Sequence, residues 1–104
     1  MNSISVNELA ALGPDVSIID VREDHEYAEA WVPGTKNIPL SRFAGSLGEV
    51  PSGHTVYVMC ASGSRSSRAT ALLREQGLDS VNVSGGITEW YRNGHPITYG
   101  TEGR

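Results

Sequence analysis

Cysteine occurs once in this chain, as Cys60. A lone cysteine forms no internal disulfide, so a fold stapled by disulfides is excluded and a reducing, cytoplasmic setting is expected. Structural zinc is equally poorly served: the histidines, His25, His54 and His95, are scattered, and no cluster has metal-ligand spacing. No apolar run approaches the roughly 18 residues of a membrane span, and the opening stretch MNSISVNELAALG is amphipathic without a basic signal-like region. Basic residues are the minority, 8 Lys and Arg against 12 Asp and Glu. The resulting net charge of −4 speaks against nucleic acid or an anionic membrane as partner. Dinucleotide and Walker fingerprints are absent, and Gly85-Gly86 is an isolated pair. Repeats and low-complexity tracts are missing too, so neither a cofactor nor a metal is expected. Asn82-Val83-Ser84 matches a glycosylation sequon but falls in a predicted strand of a chain read as non-secreted.

What is present is a regular alternation. The 104 residues suit one domain spanning 1–104, with a core over about 4–98 and a short, extended C-terminal tail frayed at its end. Ser5-Val6-Asn7-Glu8 reads as a capping box that opens a helix stopped at Gly13-Pro14. VSIIDV (16–21) is a short apolar run of β-branched residues, the mark of a strand buried on both faces. REDHEYAEAW (22–31) reads as helical, with Pro33-Gly34 as a turn and KNIPL (36–40) as an extended piece. SRFAGSLGEVPSG (41–53) suggests one helical turn and a loop. TVYVMC (55–60) is the second strong strand, and a helix beginning near Ser66 ends at Gly77. SVNV (80–83) is another strand, followed by a helix with Ile87, Trp90 and Tyr91 on its packed face. Strand and helix alternating in this way imply right-handed crossovers and a mostly parallel sheet covered on both faces. In such sheets ligands bind beyond the carboxyl ends of the strands, where Cys60 is expected.

The loop after Cys60 is built of small residues: Ala61, Ser62, Gly63 and Ser64, then Arg65 and Ser66. A free cysteine in an apolar strand is ordinarily a small buried hydrophobe. Here the backbone can curl around the sulfur, Gly63 permits a positive φ, and successive amides in such a curl form an anion-binding nest. The helix that follows directs its positive end at the same place, and Arg65 adds a full charge. A thiol of ordinary pKa, about 8.5, is only a few per cent ionised at neutral pH, whereas a helix N-terminus and a cation lower that pKa. The expectation is a low-pKa nucleophilic Cys60 in a bowl suited to a thiolate, a persulfide or a bound oxyanion. No histidine is placed to act as its base; His54 precedes the same strand at its opposite end.

With these residues in view, the chain resembles a single-domain rhodanese, a thiosulfate-type sulfurtransferase. IIDVRE (18–23), EYAEAWVPGTKNIPL (26–40), VYVMCASGSRSSRAT (56–70) and VSGGITEW (83–90) are similar to the family's signatures, in order and at family-like spacing. The pattern departs at Ala30-Trp31, where many members carry Gly-His. The resemblance implies a three-layer α/β/α rhodanese-like fold with a mostly parallel five-stranded sheet. It also implies that Cys60 accepts sulfane sulfur as a persulfide from thiosulfate or a persulfide donor. The sulfur then passes to cyanide, a thiol or a partner protein in a sulfur relay. Arg65 and the loop residues Ala61, Ser62, Gly63, Ser64 and Ser66 would bind the substrate, Arg65 taking a thiosulfate oxyanion. A monomer or weak dimer is expected.

Related phosphatases and arsenate reductases use Cys-x5-Arg, a larger bowl that admits a tetrahedral oxyanion. This chain has Cys-x4-Arg, with Ser66 where their arginine would fall, which favours sulfur transfer. A binding or regulatory module that keeps the fold without catalysis is the other alternative; intact Cys60 and Arg65 speak against it. Asp20 and Arg22, on the same predicted sheet edge, read either as groups that orient the site and tune its charge or as a structural pair. The pair is preferred. Glu23, Asp24, Glu26 and Glu29 read as a solvated helix face, and Arg68 as a solvated arginine.

Overall fold

The computed structural model describes residues 2–100. Two apolar runs, Ser17–Asp20 (β2) and Val56–Met59 (β5), lie side by side and parallel. Ser80–Ser84 (β6) flanks β5 and Ser3–Ser5 (β1) flanks β6, while Thr35–Asn37 (β4) flanks β2. The result is a five-stranded sheet in the order β1-β6-β5-β2-β4, with every pairing parallel. The mostly parallel five-stranded sheet expected from the resemblance is what forms.

Side chains alternate across such a sheet, so consecutive apolar residues serve opposite faces. Ile19, Val56 and Val58 pack with Phe43, Ala69 and Leu73 on one side. Ile18, Met59 and Val83 pack with Val6, Leu9 and Trp90 on the other. The first side is covered by α3 (Ser64–Glu75), the second by α1 (Val6–Ala11) and α4 (Gly86–Arg92). Burial of both faces explains why β2 and β5 read as continuous apolar runs. Cys60, directly after the central strand, belongs to the α3-side core.

Local signals worked where neighbours in sequence decide. The Ser5 hydroxyl accepts from the Glu8 amide, and the Glu8 carboxylate accepts from the Ser5 amide: the capping box forms. Other expectations need correction. The helix of 22–31 is shorter: α2 covers Asp24–Glu29, and Ala30–Trp31 (β3) is extended. Trp31 still stacks on Tyr27, with ring centroids 5.7 Å apart. Its Nε1 donates to the Gly100 carbonyl, and β3 pairs antiparallel with Thr98–Tyr99 (β7). The C-terminal tail is therefore docked through Gly100, because Trp31 supplies a large apolar face and an indole donor. The frayed end lies outside the described residues.

The segment 40–49 makes two successive 3-10 turns, Leu40–Arg42 and Ala44–Glu49, instead of one turn and a loop. Helix α3 begins at Ser64, two residues earlier than expected, because Gly63 at φ +114° turns the chain into it. Tyr91 is exposed, so the packed face of α4 is carried by Trp90 and Ile87. Among the described residues no helix is long and apolar enough to cross a membrane.

Candidate active site

The carboxyl end of the central strand delivers Cys60 to the N-terminus of α3, and the intervening residues curl around its sulfur. The Gly63 amide donates to Cys60 Sγ at 3.0 Å, and the buried Ser66 hydroxyl lies 3.3 Å from the same atom. Cys60 is fully buried. Burial pushes the thiol up, but hydrogen bonds from the Ser66 hydroxyl and from the amides of Ser66, Gly63 and Ser62 outweigh it. The net direction is down, toward the thiolate. Ala61 and Gly63 are half-buried, while Ser62 and Ser64 are the exposed residues of the curl.

Two features that hold this curl are not apparent in the loop's own sequence. The first is Gly85-Gly86. The amides of Ile87 and Thr88, at the start of α4, donate to the carbonyls of Cys60 and Ala61 at 2.9 and 3.1 Å. Turning those carbonyls outward turns the next amides inward, since C=O and N–H of one peptide unit point oppositely. A Cβ at Gly86 would overlap the Cys60 carbonyl oxygen, so the close approach requires glycine there, and its φ of +54° adds to the requirement. The pair that looked isolated is the clamp on the loop; its position next to a helix start was the only available signal.

The second is Asn82, buried on β6. Its Oδ1 accepts from the Ser66 hydroxyl at 2.5 Å, and the same hydroxyl lies 3.2 Å from the Gly63 carbonyl. Ser66 has one proton and three acceptors in reach, so Asn82 and the sulfur compete for it. Nothing in the local sequence marks Asn82 beyond a polar residue inside a strand. Its burial also agrees with discounting the sequon.

Asp20 and Arg22 form the structural pair. The Asp20 carboxylate accepts from the Arg22 amide, Nε and Nη2 at 2.9–3.1 Å. Arg22 Nη1 and Nη2 donate on to the Glu26 and Ala30 carbonyls, so the pair ties the end of β2 to α2. Both side chains are buried.

Arg65 has a protein partner that its loop does not announce: Nη1 donates to Glu26 Oε1 at 2.6 Å and Nη2 to Oε2 at 3.0 Å. Glu26, read from the sequence as part of a solvated face, is thus a partner of the loop's cation. Hydrogen bonding to Arg65 holds the Glu26 carboxyl down at about 2, against the partial burial that opposes it. The same bond holds Arg65 charged, with smaller support from Cys60 and Asp20. The largest groups lowering the thiol are the Ser66 hydroxyl and the amides, ahead of the arginine that was expected to do so. Arg68 is exposed on α3. The histidines stand elsewhere: His54 pairs with Ser17 at the other end of the sheet, His95 with Asn7 and Trp90, and His25 is exposed.

The chain is similar to known proteins over nearly its whole length. The family model described as a rhodanese-like domain matches residues 5–93. A sulfurtransferase of Allochromatium vinosum is 35% identical over 98 residues, covering 93% of this chain and 92% of that one. An adenylyltransferase and sulfurtransferase of Arabidopsis thaliana is 34% identical over 96 residues, which cover 76% of this chain and 21% of that much longer protein. The crystal structure of a rhodanese-related protein from Thermoplasma volcanium superposes with a TM-score of 0.89 at 31% identity, covering 94% of this chain and 98% of that one.

Proposed function

The chain belongs to the rhodanese-like domain family, with sulfurtransferases among its relatives, and from that premise we propose that it moves sulfane sulfur through a persulfide on Cys60. The observation that carries this reading is the pairing of a thiol pulled toward its thiolate with amides turned onto its sulfur. Such a site favours the nucleophile before reaction and, after it, the anionic outer sulfur of Cys60–S–S⁻. Sulfur comes from thiosulfate or from the persulfide of a thiol. It leaves to a thiophilic acceptor: cyanide in the laboratory, or a thiol or partner protein in a relay. The loop residues 61–64 and Ser66 cradle the transferred sulfur, and Asp20 with Arg22 fixes the strand end beside it. The four-residue spacing between Cys60 and Arg65 supports sulfur as cargo over a phosphate.

Intact mass of the reduced protein after incubation with thiosulfate, and separately with glutathione persulfide, tests the reading. A gain of one sulfur atom, reversed by cyanide and absent in Cys60→Ser, is the expected result; no gain with either donor overturns it. Alkylation rate against pH checks the thiolate. Ser66→Ala is expected to move the midpoint upward, because the Ser66 hydroxyl is the strongest of the groups lowering the thiol.

A further inference from the structure

The pairing of Arg65 with Glu26 bears on which donor the site accepts. Thiosulfate is a dianion, and its leaving group, sulfite, is another. A site built for it needs a cation with free donors at the loop. Arg65 is the loop's own cation, and both arms of its guanidinium are engaged by one carboxylate, at 2.6 and 3.0 Å. A bidentate fork of this kind takes two of the five N–H donors and offsets the charge locally. The other nearby arginine, Arg22, is buried against Asp20. Arg68 lies further along α3, exposed to solvent that screens it. Glu26 stays ionised at every working pH, since its carboxyl is held at about 2. What remains for an incoming donor is the amide nest, which suits one anionic sulfur, beside a guanidinium whose charge a carboxylate already offsets.

Building on the persulfide reading above, we propose that Glu26 sets donor choice: by occupying Arg65 it withdraws the loop's cation from oxyanion binding, so that sulfur is taken from the persulfide of a thiol, which presents no sulfur-bound oxygens at the loop, in preference to thiosulfate. In that step the Cys60 thiolate attacks the outer sulfur of R–S–SH. The Sγ–S bond forms as the donor's S–S bond breaks, and the electron pair of the broken bond leaves on the donor thiolate. That thiolate takes the persulfide's proton, so the products are Cys60–S–S⁻ and R–SH. No oxyanion forms and no arginine is called on. Glu26 acts here as a positioning residue through Arg65.

The test is kcat/KM for glutathione persulfide and for thiosulfate, with cyanide as acceptor, in the wild-type protein, Glu26→Gln and Glu26→Asp. The wild type is expected to prefer the persulfide by about a hundredfold or more. Glu26→Gln, which removes the negative charge and loosens the fork, is expected to raise the thiosulfate-to-persulfide ratio about tenfold, the effect of one unit charge on a nearby dianion. The change is expected in the KM for thiosulfate. Glu26→Asp keeps the charge and is expected to stay near the wild-type ratio. A wild-type protein that uses thiosulfate as well as the persulfide overturns the proposal whatever the variants do, while leaving the persulfide reading intact. So does a ratio unmoved by Glu26→Gln. Cys60 that gains sulfur from neither donor overturns the reading and the proposal together.

Discussion

Two arginine–carboxylate pairs are associated with the site, and they differ in kind. Asp20 and Arg22 are buried, two residues apart, and bonded onward to the Glu26 and Ala30 carbonyls. Glu26 and Arg65 are about a third exposed, 39 residues apart, and bonded chiefly to each other. The first pair is framework: its charges are desolvated and every arm has a protein partner. The second stands beside the loop, where water competes and a ligand's charge is felt. Burial, more than residue type, separates a pair that holds the fold from one that can tune a reaction.

That contrast can be broken at its strong end. Asp20→Asn leaves Arg22 charged and buried with its main partner neutral, and about 3–5 kcal/mol of stability is expected to be lost. Denaturant unfolding measures this, and a loss below about 1 kcal/mol would place the two pairs in one class. Next in size is the loop clamp. Gly86→Ala forces a Cβ onto the Cys60 carbonyl and a left-handed φ on alanine, at an expected cost of about 2 kcal/mol or more. Its second signature is slower alkylation of Cys60 near neutral pH, as the amides of the loop turn away from the sulfur.

The exposed pair is expected to give the smallest effect. Glu26 is held at about 2 in the folded chain against 4.5 ordinarily, so it binds fewer protons folded than unfolded. Its contribution is present above about pH 4.5 and is lost as pH falls toward 2. Solvent screening keeps that contribution at about 1 kcal/mol or less. Unfolding measured at pH 5 and at pH 2.5 is expected to show a shallower acid loss in Glu26→Gln than in the wild type. Equal acid limbs would mean that the pair does not stabilise the fold, and would sharpen its reading as a device for the site alone.

Much of this architecture is legible in the chain. The nearly continuous apolar runs at 16–21 and 55–60 announce a sheet buried on both faces, because period-2 side chains must then be apolar on either side. The Ser5–Glu8 capping box and the positive φ at Gly63 are decided by atoms within a few residues. Short elements escape such reading: β1 has three residues and β7 two, and each exists only because a neighbouring strand offers its edge. Tyr91 shows the opposite failure. It has helical spacing for the core, yet α4 spans only Gly86–Arg92 and turns that residue to solvent.

By itself, then, the sequence determined the nucleophile's setting: one thiol at a strand end, a curl of small residues, a glycine to make it, and a helix start beyond. Those are consequences of local dihedrals and of hydrogen bonds that span a few residues. Tertiary structure alone decided what surrounds that thiol. Glu26 reaches Arg65 across 39 residues, Asn82 reaches Ser66 across 16, and Gly86 lies against Cys60 because β6 flanks β5. Strand order brings these groups together, and strand order follows from burying both faces of the whole sheet at once, which no short stretch of residues encodes.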